Sequence, residues 1–427
     1  MKLLWVKAGK LLPVDTGGKI RSYNLLRHLA ANHDVTLLSY YGGPHDPTYE
    51  AELTRHFPLA VTVRTGAPEG RPVLTAFHYA RHLLSPAPYA VTKFTSPRVS
   101  RLIRTWFSER TFDVAVCDFL SASLNFPVTL STPSVLFQHN VESVLWRRQA
   151  AHEPNPIARL AFMLEAAKMA RYERATVRRF PHVIAVSERD RQAMTHMTDV
   201  SRLTVVPTGV DVERYRAAAG VEPARPLLMF LGSMDWEANI DAVDYFCREI
   251  WPAIRSAVPS ARFRIVGRNP HPRVMKLASE SVEVTGRVPS VVDHLREAAV
   301  FVVPLRVGGG TRLKIFEAMA AGKAVVSTAV GAEGLEVHDG RDVILADGPA
   351  RFADAVIGLL QDPERRRRFE SAASELAARF DWSVIARQFE TILTKVAAAR
   401  TPAARVFSRA ATNGEGRLNA SPYGDPS

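Results

Sequence analysis

Short apolar runs alternate with longer amphipathic stretches along most of the chain, the pattern of parallel strands joined by crossover helices. Leu3–Val6, Asp34–Tyr41, Asp113–Cys117, Val135–Gln138, Val183–Val186 and Leu203–Pro207 read as strands. Their valine and leucine content suits strands buried on both faces. A second series follows at Leu227–Leu231, Phe263–Val266, Val282–Val284, Ala299–Leu305, Ala324–Ser327 and Val343–Ala346. Between the strands, helices are predicted at about Ile20–Ala31, Ile157–Arg179, Asp241–Val258, Pro349–Leu360 and Asp362–Phe380, with a last one from Trp382 to about Ala398. Residues 218–226, rich in alanine, glycine and proline, separate the two series. The expected architecture is α/β, two facing doubly wound domains over 1–210 and 225–380 with a cleft between them. Residues 400–427 are polar and poor in hydrophobics, which predicts a disordered tail.

The stretch from Val302 to Glu336 carries the most chemistry. A valine-rich strand runs into Gly308-Gly309-Gly310, then Thr311 as a candidate N-cap, then a helix with Leu313, Phe316 and Ala320 on one face. A glycine loop feeding a helix N-terminus offers backbone N–H groups and a positive dipole end, which suits a phosphate. Arg312 and Lys314 put positive charge in the first turn, where the dipole disfavours it unless an anion is present. Glu317, three residues after Lys314, could accept hydrogen bonds from a ribose diol. The same residues also fit an ordinary crossover loop with a solvated Lys–Glu pair. Gly17-Gly18 repeats the loop-then-helix pattern near the N-terminus, and a simple tight turn accounts for it equally well. His139 follows an apolar strand, where open α/β sheets place their sites, and could carry a proton, hydrogen bond a sugar or be a buried structural residue.

Composition narrows the partners. The 427 residues suffice for two domains, and a net charge of +12 points to an anionic partner: nucleotide, nucleic acid or anionic lipid surface. Between 71 and 107, basic residues such as Arg98, Arg101 and Arg104 alternate with Phe77, Tyr89 and Trp106. That suits an anionic membrane surface or a lipid-linked acceptor, single-stranded nucleic acid, or simply a solvated basic face. The dispersed charge and the lack of a recognition module argue against nucleic acid. Cys117 and Cys247 lie far apart in apolar surroundings and are expected as free thiols in a reducing compartment. No apolar run approaches the ~20 residues of a membrane span, and the N-terminus is too short and polar for a signal peptide. A cytoplasmic protein is expected, peripheral at most at the inner face of the plasma membrane. No clustered metal ligands and no pair of catalytic carboxylates stand out.

Glu317-Ala-Met-Ala-Ala-Gly-Lys-Ala-Val-Val-Ser-Thr resembles the signature of family 4 glycosyltransferases of the GT-B fold, retaining enzymes that use nucleotide sugars. Gly-Gly-Gly-Thr-Arg-Leu-Lys-Ile-Phe-Glu and His139-Asn140-Val141-Glu142 are similar to an exopolysaccharide-type subgroup. The resemblance implies two Rossmann-like domains, with the C-terminal helix at about 382–398 crossing back onto the first. It implies a metal-independent hexosyltransferase of polysaccharide or glycolipid biosynthesis, with a nucleotide-sugar as co-substrate and no other cofactor. By that likeness His139, Lys314 and Arg312 are the catalytic candidates. Gly17, Gly18, Gly232, Ser233, Gly309, Gly310, Thr311, Glu317 and Glu333 are candidates for holding the nucleotide-sugar, and Asn140 and Glu142 face a glycan or lipid-linked acceptor. The sequence departs from the family pattern at three places. Gly309 stands where the first glutamate of a two-glutamate motif belongs, Glu237-Ala238-Asn239 replaces a lysine–glycine pair, and Thr208 replaces an asparagine. A nucleotide-sugar epimerase on the same fold and a non-catalytic binding protein are the alternatives.

Overall fold

The computed structural model describes residues 1–66, 85–307 and 313–399. Its strands form two fully parallel sheets. The first comprises β1 (Lys2–Ala8), β2 (Asp34–Tyr41), β3 (Val61–Arg64), β4 (Val114–Asp118), β5 (Ser134–Phe137), β6 (His182–Ala185) and β7 (Leu203–Val205), in the order β3-β2-β1-β4-β5-β6-β7. The second comprises β8 (Leu227–Leu231), β9 (Arg262–Val266), β10 (Val282–Gly286), β11 (Val300–Val303), β12 (Ala324–Ser327) and β13 (Ile344–Leu345), ordered β10-β9-β8-β11-β12-β13. Each sheet therefore has one switch point, where the winding reverses: between β1 and β4, and between β8 and β11. Crevices at switch points are where such sheets bind ligands.

The central strands are buried almost without exception, as sheets covered by helices on both faces require. Trp5 and Phe137 of the first sheet pack against Phe389 of the helix Trp382–Ala398, with ring centroids 5.6 and 5.1 Å away. The C-terminal helix thus lies on the first sheet, against the helix Gly17–Leu29. Where the chain passes between the sheets, Val210 N–H donates to Phe380 O (2.8 Å) and Trp382 N–H donates back to Val210 O (3.1 Å). The two crossing segments are hydrogen-bonded side by side.

Three local expectations need correction. The N-terminal helix begins at Gly17, not Ile20, so Gly17 and Gly18 belong to its first turn. The helix expected over Asp241–Val258 starts at Glu237, passes through a π-turn at Phe246–Ile250 and ends at Ala257. Pro252 has no N–H to offer the carbonyl four residues back, and the helix takes up the slack as a wider turn. Glu142–His152 is a helix that the sequence did not announce, and it pairs with the long helix Pro156–Arg179. Both cysteines are free thiols, Cys117 buried and Cys247 half-buried. Of the basic–aromatic stretch, residues 71–84, with Phe77 among them, lie outside the described residues. The remainder includes the helix Pro97–Ser108, which buries Val99, Ile103 and Phe107 and exposes Arg98, Arg101 and Arg104. No described helix is long and apolar enough to cross a membrane.

Candidate active site

At the switch point of the first sheet, two largely apolar strands carry charge at or near their carboxyl ends. Lys7 of β1 and Asp118 of β4 are register partners, and their side chains pair at 3.0 Å with almost no exposure. Burying ions is costly unless pairing and hydrogen bonds replace the lost water. Here they do. Asp118 Oδ2 also accepts from Trp5 Nε1 (2.9 Å) and from the Ser22 hydroxyl (2.7 Å), and Oδ1 lies 2.7 Å from His139 Nε2. Burial alone would raise the Asp118 pKa, but Lys7 and His139, with hydrogen bonds from His139 and Ser22, hold it well below the usual carboxylate range.

That carboxylate settles the tautomer of His139, and burial settles its charge. Burial pushes the imidazole pKa down to about 4, against the opposing pull of Asp118. The ring is thus neutral near pH 7. An ionised carboxylate can only accept, so the proton sits on Nε2 and Nδ1 keeps a bare lone pair. Nδ1 is buried and has no hydrogen-bond partner. The ring is gripped between Phe119 and Phe137, with centroids 5.3 and 4.4 Å away. Phe119 holds φ at +77°, a conformation that costs a non-glycine residue about 1–3 kcal/mol and tends to persist only where the surroundings impose it.

His139 Nδ1 faces the start of the helix Gly17–Leu29: a Cβ added to Gly18 would stand 3.4 Å from it. The first N–H groups of any helix lack internal partners. Thr16, at the N-cap, makes no side-chain capping bond, which leaves these groups to a ligand. Gly18 and His139 therefore meet at one spot, with Gly17 beside them.

The two residues after His139 divide. Asn140 lines a small cavity between the sheets with Arg148, Ser187, Arg189, Glu333 and Gly334. Glu333 is ion-paired there with Arg189 of the first half. Glu142 turns towards Glu173, whose carboxylate caps its helix by accepting the N–H groups of Glu142 (2.8 Å) and Ser143 (3.1 Å). Burial, then the Glu173 charge, pushes the Glu142 pKa up to about 7, with Lys93 opposing.

The second switch point is built differently. Gly232 and Ser233 follow β8, and Lys314 Nζ reaches Asn239 Oδ1 at 2.8 Å while lying 4.2 Å from the centre of the Phe230 ring. Asn239, standing in the region of the missing lysine, donates in turn to Ser233 O at 2.8 Å. A Cβ on Gly232 would come within 2.7 Å of Asn239 Nδ2 and 3.0 Å of Lys314 Nζ, so only glycine lets these groups converge. The Ser233 hydroxyl donates to Asp235 (2.6 Å) and accepts from Arg268 Nε (3.1 Å). Arg268 also comes within 3.8 Å of Asp15, in the loop before Gly17.

Glu317 is half-buried and lines a cavity of about 260 Å³ with Asn24, Arg27, Asp211, Arg214 and Tyr215. Burial pushes its pKa up, opposed by a hydrogen bond with Tyr215 and by Arg214 and Lys314. Lys314 and Glu317 are engaged with separate partners here, in place of a plain solvated pair. Gly309, Gly310, Thr311 and Arg312 lie outside the described residues. Among the described residues, no group of three or more His, Cys, Asp or Glu side chains could share a metal ion.

Sequence reasoning missed Lys7, Asp118 and Trp5 on the first sheet, Ser22 on the helix over it, and Asn239, Tyr215 and Arg268 opposite. One signal was present: a charged residue closing each of two fully apolar strands, Leu-Leu-Trp-Val-Lys and Val-Ala-Val-Cys-Asp.

Comparison with known proteins adds independent findings. Residues 16–214 match the model of Glycosyltransferase Family 4, and residues 225–362 match that of Glycosyl transferases group 1. A phosphatidyl-myo-inositol mannosyltransferase of Mycobacterium leprae is 29% identical, over 44% of this chain and 54% of the relative. A D-inositol 3-phosphate glycosyltransferase of Frankia alni is 31% identical over 44% of this chain and 52% of the relative. The chain thus spans about half the length of the curated relatives it matches. Among solved structures, HepE of Anabaena in complex with UDP superposes with a TM-score of 0.65 at 16% identity, covering 92% of this chain and 100% of that one. WaaG, a glycosyltransferase involved in lipopolysaccharide biosynthesis, gives 0.59 at 16% identity, covering 92% and 99%.

Proposed function

Because the chain belongs to the family 4 glycosyltransferases and has their GT-B fold, we propose that it transfers a sugar from a nucleotide-sugar donor to an acceptor hydroxyl. The observation that carries this reading is the buried His139 Nδ1, an acceptor without a partner beside the first turn of a helix. A sugar hydroxyl supplies the missing donor, and the N–H groups of Gly17 and Gly18 supply what a diphosphate needs. With its ring neutral and its proton committed to Asp118, His139 orients a hydroxyl; it does not shuttle a proton. Asp118, Lys7 and Ser22 are positioning residues acting through it.

The nucleotide then occupies the second switch point. Lys314 faces the diphosphate from beside Gly232 and Ser233, and Glu317 takes the ribose hydroxyls. Gly309, Gly310, Thr311 and Arg312 belong to the same phosphate site on sequence grounds. In the transfer, the bond from the anomeric carbon to the diphosphate breaks with its electron pair going to phosphate. A bond from the acceptor oxygen forms, and the acceptor proton leaves on the phosphate. Stabilising that departing charge falls to Lys314, Arg312 and backbone N–H groups, which supports a metal-independent step. Retention of anomeric configuration is part of the proposal by family likeness. Asn140, Arg148 and the half-buried Glu142 lie on the acceptor side. HepE was solved with UDP, and the curated relatives are named for inositol-bearing acceptors, one of them a phospholipid. We accordingly place the enzyme at the inner face of the plasma membrane, acting on a lipid-linked or phosphorylated acceptor.

The test is a thermal-stabilisation screen of nucleoside diphosphates and their sugars, followed by transfer assays on any hit. Stabilisation by one nucleotide and its sugar, lost in Glu317→Gln, is the expected result. No stabilisation by any nucleotide at millimolar concentration would remove the basis of the transferase reading.

A further inference from the structure

The helices Glu142–His152 and Pro156–Arg179 pack side by side, yet between them runs a trough of about 540 Å³. Its walls repeat at helical spacing: Ser143, Arg147, Ala150 and Ala151 on one helix, and Arg159, Met163, Ala166, Ala167, Ala170 and Arg174 on the other. Where two helices normally interlock larger side chains, these present alanine to each other and leave a channel. The volume falls in the range of ligand sites, roughly 300–1,000 Å³. A floor of mostly alanine and methionine offers a ligand mainly apolar contact.

The rim has the opposite character. Arg147, Arg159 and Arg174, with His196, border the trough, and no carboxylate does. Arg147, near the Glu173 carboxylate, donates to the Ser143 carbonyl, and Arg159 donates to that of Glu153. Ser143, fully buried in the lining, lies against the Glu173 carboxylate, which accepts its N–H group at 3.1 Å. Beside the trough, Ile157, Leu160, Met163 and Leu164 project from the first turns of the second helix, between 47% and 81% exposed. Four neighbouring apolar side chains in water mark a contact surface.

We propose that this trough holds one hydrocarbon chain of an anionic lipid, its phosphate against the arginine rim and the Ile157–Leu164 face resting on the bilayer that supplies it. The charge pattern favours this occupant over a protein, since an apolar channel under an edge of three arginines matches an alkyl phosphate. The position favours it too. The helix Glu142–His152 has Ser143 and Arg147 on the trough and Val144 and Arg148 at the cleft cavity, which Asn140 just before it also lines. One helix thickness, about 10 Å, separates the two. A lipid anchored in the trough lies across that one helix from the cleft cavity. This deepens the transferase reading, on which its catalytic meaning rests, by naming the lipid of a lipid-linked acceptor.

Octyl phosphate, octyl glucoside and inorganic phosphate, titrated calorimetrically into the full chain, test the proposal. Octyl phosphate should bind at one site at least tenfold more tightly than either of the others. Ala167→Trp should weaken it tenfold or more by filling the trough, and Arg174→Gln, on an exposed residue that puts folding at no risk, several-fold. Neither variant should alter nucleoside diphosphate binding. Octyl phosphate binding no better than inorganic phosphate, or equally well to both variants, would overturn the proposal; the apolar face would then be a protein contact. Binding of octyl phosphate with no binding of any nucleotide would leave the trough standing and sink the transferase reading instead.

Discussion

The two switch points solve the same problem in opposite ways. At the first, every polar atom but one is committed inside the protein: Asp118 takes hydrogen bonds from Trp5, Lys7, Ser22 and His139 in a site sealed from water. At the second, Gly232, Ser233 and Lys314 are more open, and Arg268 and Glu317 hold partners that a nucleotide could replace. The first edge is preorganised and leaves a single lone pair for its ligand, whereas the second supplies mobile charge. Fixed dipoles position a neutral hydroxyl well, because they need not rearrange on binding. In the proposed reaction a diphosphate, which carries more charge, would be met there by cations that can follow it.

This contrast orders the expected effects of substitution. Asp118→Ala should be the most damaging change, because it strands a buried Lys7 and the His139 Nε2 proton; a loss of about 3–5 kcal/mol in denaturant unfolding is expected. A loss below ~1 kcal/mol would mean that the network is open to water. Next comes acid. His139 has its folded pKa lowered to about 4 from an ordinary 6.5. The unfolded chain therefore binds the proton first, and stability that is fully present above pH 6.5 drains away as pH falls towards 4, by roughly 3 kcal/mol from this group. His139→Gln should flatten that part of the profile, and an unchanged slope would assign it elsewhere.

At the second edge the same tests should move binding and leave folding alone. Lys314→Ala should reduce donor affinity and turnover together by about 10–100-fold, the worth of a charge-assisted hydrogen bond or two. Its melting temperature should barely shift. Glu317→Gln should cost nucleotide affinity roughly tenfold with a smaller effect on turnover at saturation, read by calorimetry. Smallest of all, Arg268→Ala removes a partly exposed pair with Asp15 worth about 1 kcal/mol or less. A large loss of donor affinity there would show that Arg268, too, holds the phosphates.

How legible each edge was in the sequence follows from how it is built. Lys314, Gly232 and Ser233 sit in or beside glycine loops, whose purpose shows in local composition. The buried cluster is made of residues from β1, β4, the helix Gly17–Leu29 and the segment after β5, more than a hundred residues apart at the extreme. Nothing local marks Asp118 as the partner of Lys7; only the strand order 1-4 brings them together. His139 was visible by its place after a strand, but its protonation state depends on Asp118 and so came only with the fold. The helix Glu142–His152 was illegible for another reason: its buried positions are small, so the apolar stripe that announces a helix is faint.

The most direct test is the nitrogen NMR signal of His139 in histidine-labelled protein, identified by its loss in His139→Gln, followed from pH 5 to 8 with and without donor. The structure predicts a ring that stays neutral throughout, with the proton on Nε2 and a bare Nδ1 whose resonance moves when a nucleotide sugar binds and not when the nucleoside diphosphate binds alone. Titration near pH 6.5, or a proton found on Nδ1, would contradict the claim that this histidine is held as a pure acceptor for a sugar hydroxyl.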